Sequence, residues 1–273
     1  MVEYLKKLEK NKKYWLVLWW GAARWIFHVG VLKRIEELDI EITEVSGTSM
    51  WSLIWACVSI WLKYKDIYKI AKEVKYTSLI DVSIWNGIIK WNKLIKLLKE
   101  IFWNKKIWDT NIPLKIVAVD INNWEKYVFW SNDTIVDAVR SSVSVPWVFA
   151  PHKYKWKYYI DWWVVDNLPL DDTISENLIV SSPIKWVLDD IIKNKEKWLS
   201  SLWPIKSIVN SKKILQRTFA IMIRQINNYN LQFLDKKILF IDFPDNSIEY
   251  YDFQKRKKSI DAWYERAKRI LIY

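Results

Sequence analysis

Residues 42–60 read Ile42-Thr-Glu-Val-Ser-Gly47-Thr48-Ser49-Met50-Trp51-Ser52-Leu-Ile-Trp-Ala-Cys-Val-Ser-Ile60. Ile42 to Ser46 has the pattern of a short strand, and Ser52 to Ile60 is a mostly apolar run long enough for a helix. Only a few residues join them, so Ser49 is expected on a sharp strand-to-helix turn. A serine nucleophile must project from such a turn, which leaves little room for side chains at the flanking positions. The N-terminus of the next helix adds N–H donors and a partial positive charge beside the hydroxyl. Taken alone, the same serine reads better as a plain helix cap.

Outward from this turn, strands and helices alternate. Strand patterns occupy 14–18, 114–119, 126–129, 158–160, 178–180 and 238–241. Helical patterns occupy 26–38, about 66–76 and 87–101, 134–140, 214–227 and 258–270. Such alternation argues for an α/β fold, with a mostly parallel central sheet flanked by helices on both faces. No linker, repeat or low-complexity block interrupts the chain, so residues 1–273 are expected to form a single domain.

Composition narrows the class. A hydrophobic share of 51% against 27% charged excludes a disordered chain. No uninterrupted apolar run approaches membrane-spanning length, and Met1 to Lys13 lacks the apolar segment of a signal peptide. The single cysteine, Cys57, cannot form an internal disulfide, which fits a cytoplasmic protein. The net charge of +12 comes mainly from lysine and reads first as a solvated basic surface. Tracts such as Lys255-Arg256-Lys257-Lys258 could also attract anionic lipid headgroups or nucleic acid.

One count is abnormal: the chain has 4 Gly and 21 Trp. Strand–helix turns need residues that accept positive φ, which glycine does at least cost. The tryptophans fall in such places. Trp19-Trp20-Gly21 follows the strand pattern Leu16-Val-Leu18, and Trp51 follows Ser49-Met50. Trp124 lies in Asn122-Asn123-Trp124-Glu125, where a hairpin wants Asn-Gly, and Trp147 follows Pro146. Trp156 occupies another hairpin tip, in Tyr154-Lys155-Trp156-Lys157. A face for stacking on nucleic acid would instead repeat at period 3.6 or 2. The economical reading is that UGA codons for glycine have been written as tryptophan.

With glycine at those positions, three separated segments resemble the patatin-like phospholipase family. Leu16-Val-Leu-Trp19-Trp20-Gly21-Ala-Ala-Arg24-Trp25 becomes its G-G-G-x-x-R-G loop. Gly47-Thr48-Ser49-Met50-Trp51 becomes Gly-x-Ser-x-Gly. Asp161-Trp162-Trp163 becomes Asp-Gly-Gly, followed at Asn167-Leu168-Pro169 by the family's Asn-x-Pro. Ala138 to Ser142 and Val145 to Phe149 resemble the connecting stretch. The resemblance covers residues 14–170, and more weakly the last helix.

The resemblance implies a three-layer patatin-like fold and a Ser–Asp dyad, with Ser49 as nucleophile and Asp161 as base. It also implies an oxyanion loop at Trp19, Trp20, Gly21, Arg24 and Trp25, and no metal or organic cofactor. Bare backbone N–H groups can close on an oxyanion only where no Cβ intervenes. An aspartate, with an ordinary pKa of about 3.9, needs partial desolvation to serve as base. His28 and His152 are expected to be structural, as are Asp120 and the turn residue Asp166. Arg24 is expected to brace the loop or to meet a headgroup phosphate. The implied substrate is a phospholipid or other lipid ester, with peripheral contact to anionic membranes and no nucleic-acid partner. The competing functions are lipid binding without turnover and, more remotely, nucleic-acid binding by an aromatic-rich basic surface. Read literally, the indoles at 19, 20, 51 and 162 would crowd Ser49.

Overall fold

The computed structural model describes residues 3–18, 27–73, 81–82, 89–90, 92–146, 149–162, 175–182, 225, 235–242 and 256–273. Strands β1 (Glu3–Tyr4) and β2 (Tyr14–Leu18) precede helix α1 (His28–Glu37). Next come β3 (Ile42–Gly47), α2 (Met50–Ser59) and α3 (Tyr64–Glu73). β4 (Asp81–Val82) and β5 (Ile89–Lys90) pair antiparallel as a separate ribbon, and α4 (Asn92–Phe102) follows. β6 (Leu114–Asp120) and β7 (Glu125–Phe129) lead to α5 (Ile135–Ser142), β8 (His152–Tyr154) and β9 (Lys157–Asp161). β10 (Asn177–Ser182), β11 (Lys237–Asp242) and α6 (Arg256–Ile270) complete the described elements.

The main sheet runs β1-β11-β10-β2-β3-β6-β9-β8, with β7 also on β6. It is parallel from β1 through β6, and antiparallel where β6 meets β7 and β9 and where β8 meets β9. The expected α/β architecture is present, as a mixed sheet flanked by helices. Burial explains the strand pattern. Tyr14 to Val17 is buried throughout, as a strand covered on both faces must be.

Two sequence expectations shift. The helix expected from 87 starts at Asn92, because Ile89–Lys90 pairs in extended form with Asp81–Val82. The helix expected from Ser52 starts at Met50, because the Ser49 carbonyl already accepts the Ser52 N–H at 3.0 Å. The pattern at 214–227 lies outside the described residues apart from Gln225.

One core cluster draws on residues from Leu8 to Leu271 and includes the inner faces of α1, α2, α4, α5 and α6. α1 and α6 approach so closely at Gly30 that a Cβ there would lie 2.3 Å from the Ile260 carbonyl and 2.7 Å from the Tyr264 nitrogen.

Among the described residues, four tryptophans adopt positive φ: Trp61 (64°), Trp103 (52°), Trp124 (61°) and Trp156 (69°). Each occupies a position where the chain reverses. Trp61 follows α2, where the Trp61 N–H bonds the Val58 carbonyl and the Leu62 N–H bonds the Cys57 carbonyl. That paired pattern is the helix stop at which glycine is usual. Trp103 follows α4, Trp124 turns β6 into β7, and Lys155-Trp156 joins β8 to β9 with both φ values positive. Two adjacent positive φ values make the hairpin turn that favours Asn-Gly. All four indoles are exposed, so burial does little to offset a backbone cost of about 1–2 kcal/mol each.

Two substitutions should therefore move stability in opposite directions. Gly30→Ala is expected to destabilise by on the order of 1–3 kcal/mol, because its methyl group meets backbone that cannot yield. Trp156→Gly is expected to stabilise by about 1 kcal/mol through relief of the left-handed backbone. Equilibrium urea unfolding beside the parent chain measures both, and an unchanged midpoint for Gly30→Ala would contradict the close α1–α6 approach.

Candidate active site

The site is assembled on β6. β7 fills one edge of that strand along Ile116–Asp120. β3 pairs with Leu114–Ile116 and β9 with Ala118–Asp120, so both must lie on the opposite edge. β3 runs parallel to β6 and β9 antiparallel, so the two approach each other head-on. β3 stops with Gly47 opposite Ile116, and β9 stops with Asp161 opposite Ala118. At about 3.3 Å per residue, the two strand ends lie about 7 Å apart along β6.

Val117 faces the gap. The Pro113 carbonyl accepts the Val45 N–H, and the Ile121 N–H donates to the Tyr158 carbonyl. Alternate residues of a strand turn their backbone groups to the same edge, so the Val117 carbonyl points between β3 and β9. Ser142, the last residue of α5, fills the space. Its Oγ donates to the Val117 carbonyl at 2.8 Å and accepts the Ser49 N–H at 2.9 Å. Two residues on, the Ser144 carbonyl accepts the Asp161 N–H at 3.0 Å. The end of α5 thus holds both strand ends.

Ser49 is half-buried, with φ 60° and ψ −145°. A side-chain-bearing residue in such a region costs on the order of 1–3 kcal/mol and persists only when its surroundings determine it. Here the Ser49 N–H is taken by Ser142, and its carbonyl accepts both the Ser52 N–H at 3.0 Å and the Ser52 hydroxyl at 2.6 Å. The Ser49 side chain makes no capping bond to α2. Its hydroxyl is therefore not engaged in the plain cap role. At Gly47, a Cβ would lie 3.2 Å from the Ser52 nitrogen at the start of α2, and 2.2 Å from the Trp55 ring of the chain as written, so the turn leaves little room for a side chain. Thr48 and Trp51 are buried, and Met50 is half-buried.

Asp161 is fully buried. Ile116, Ala118 and Tyr159 belong to the main core, whereas Val117, Val119, Ile160 and Trp162 form a second cluster. Alternation along β9 therefore assigns Asp161 to the main-core face, which apolar residues of α2 and α5 also share. Trp51 packs its ring against His28 at 4.2 Å, and Trp162 packs in the second cluster. The buried indole nitrogens of Trp15, Trp55 and Trp162 have no hydrogen-bond partner among the described residues. Buried tryptophans ordinarily find one.

The other titratable groups have separate roles. His28 is fully buried against Trp51 and Trp263, and burial pushes its pKa well below the ordinary histidine value, leaving it neutral. His152 bonds Asp137 at 2.9 Å, away from Ser49 in the first turn of α5. Burial acts to raise the pKa of Asp120, but bonds from Lys157 at 2.6 Å and the Asn122 N–H at 3.0 Å outweigh it and hold the carboxyl below its ordinary value. Trp19, Trp20, Gly21, Arg24 and Trp25 lie outside the described residues, as do Trp147, Trp163 and Asp166. The strand that precedes Trp19 in the sequence, β2, lies directly beside β3 in the sheet.

The contributions of Ser142, Ser144 and Val117 are not readable from the sequence. Ser142 stands in the Ala138–Ser142 stretch, but nothing in the spacing distinguishes it from Ser141.

The family model for patatin-like phospholipase matches residues 16–174. An uncharacterized NTE family protein of Mycobacterium tuberculosis is 28% identical over 159 residues, covering 57% of this chain and 44% of that protein. Lysophospholipase NTE1 of Saccharomyces cerevisiae is 26% identical over 192 residues, covering 62% of this chain and 10% of that protein. The chain thus spans less than half the length of either relative. VipD from Legionella pneumophila shares the fold, with a TM-score of 0.59 at 14% identity over 95% of this chain and 67% of that one. The matched region runs from β2 past the Ser49 elbow to beyond Asp161, and the chain belongs to the patatin-like phospholipase family.

Proposed function

We propose that this protein is a lipid acyl hydrolase with Ser49 as nucleophile and Asp161 as base. The observation that carries this reading is the head-on meeting of β3 and β9 on one edge of β6, which brings the serine turn and the aspartate strand end together. The strained Ser49 backbone and its hydroxyl, unused as a cap, support it. In the reaction, the Ser49 Oγ bonds the ester carbonyl carbon while the Asp161 carboxylate takes its proton. The carbonyl electron pair moves onto oxygen, where backbone N–H groups of the 19–21 loop would hold the oxyanion. Collapse breaks the ester C–O bond, and the departing alcohol takes the proton from Asp161. Water, deprotonated by Asp161, then releases the fatty acid and restores Ser49. Resemblance to the family favours phospholipid or lysophospholipid substrates, met at a membrane surface. No helix among the described residues is long and apolar enough to cross a membrane.

We further propose that most positions written tryptophan, including 19, 20, 25, 51, 162 and 163, are glycine in the working protein through UGA codons. The positive φ at Trp61, Trp103, Trp124 and Trp156 supports this, as do the unpartnered indoles of Trp15, Trp55 and Trp162.

Fluorophosphonate labelling tests the enzyme reading. The probe is expected to modify Ser49, and Ser49→Ala is expected to abolish both labelling and short-chain ester hydrolysis. Asp161→Asn is expected to lower kcat by about 10³-fold or more. A fold that binds lipid without turnover would leave the probe unreacted, and hydrolysis surviving in Ser49→Ala would refute the assignment. For the codon reading, the native protein's peptides should be lighter by an exchange of indolylmethyl for hydrogen at each recoded position. Unshifted masses, with UGG codons at 19, 20, 51 and 162, would end it.

A further inference from the structure

We infer that Ser142 is a positioning residue for Ser49, an inference that rests on the nucleophile reading above. The Ser142 side chain is fully buried and makes two bonds with fixed roles. Its proton is committed to the Val117 carbonyl, so its lone pairs meet the Ser49 N–H. The hydroxyl spans the gap between β3 and β9, tying the left-handed elbow to the strand against which Asp161 is registered. Only a side chain that donates and accepts through one atom at short reach can do this, which restricts the choice to serine or threonine. Ser141 and Ser144 are not equivalent to it. The Ser141 Oγ has no partner among the described residues, and the Ser144 Oγ donates to the Arg140 carbonyl at 2.9 Å and accepts from its guanidinium.

Without this hydroxyl, the Ser49 N–H loses its acceptor and the elbow its tether, while Ser49, Asp161 and the substrate-binding surface keep their composition. The effect should therefore fall on the orientation of the Ser49 Oγ and not on substrate affinity. Displacement of a reacting atom by about 1 Å can cost on the order of 100-fold in rate. Ser142→Ala is expected to lower kcat and the rate constant of fluorophosphonate labelling by about 10- to 100-fold, with KM unchanged within about twofold. Ser142→Thr should restore most of both rates, and Ser141→Ala should leave them unchanged.

Labelling separates the two levels of the argument. If the unsubstituted protein fails to label at Ser49, the nucleophile reading falls and takes this one with it. If it labels and Ser142→Ala labels equally fast per folded molecule, whatever its melting temperature, Ser142 is only structural and the inference is overturned. Should Ser142→Ala be unfolded by circular dichroism, Ser142→Cys, whose sulfur is a weak acceptor, replaces it. Equal labelling rates for Ser142→Cys and Ser142→Thr then overturn the inference.

Discussion

A strand edge that is interrupted must still satisfy its backbone groups, and in this molecule that requirement organises the site. β3 and β9 share one edge of β6 but stop short of each other, leaving the Val117 carbonyl facing the gap. A buried carbonyl left without a donor would cost on the order of 1–3 kcal/mol. The Ser142 hydroxyl meets that need and, with its lone pairs, meets a second one at the Ser49 N–H. The same gap that would weaken a continuous sheet is what allows a turn and a strand end to face each other across it.

The elbow depends on such support because it is strained. Ser49 occupies backbone space that side-chain-bearing residues avoid, and its N–H and carbonyl are both engaged by serines from α5 and α2. The helix that begins here aims its N-terminal dipole at the same point. Close approach adds a second constraint, since a Cβ at Gly47 would press on the first turn of α2. Strain is affordable because the surrounding core is extensive, drawing on elements from the beginning to the end of the described chain.

Tryptophan and glycine have opposite physical demands, and the proposed exchange rests on two kinds of position. At turns, the indole is tolerated by space but the backbone is unfavourable, as at Trp124 and Trp156. Inside, the backbone is acceptable but the indole N–H lacks a partner, as at Trp15 and Trp55. Positive φ at Asn11 and Asp39 needs no such explanation, since these residue types visit that region readily.

Local pattern alone determined the alternation of strands and helices, because periodicity and burial act over a few residues. It also determined that Ser49 ends a strand and opens a helix, and that Trp124 and Trp156 occupy chain reversals. The order of motifs pointed to Ser49 and Asp161 together, although the separation in numbering, 161 − 49 = 112, carries no distance. Tertiary structure decided what periodicity cannot encode: that β3 and β9 use the same edge of β6, that Ser142 and not Ser141 reaches the elbow, and that Ile89–Lys90 pairs instead of extending a helix. Those outcomes depend on which strand edge is vacant and which way a helix is rotated. Such properties belong to the assembled sheet, and no stretch of sequence holds them by itself.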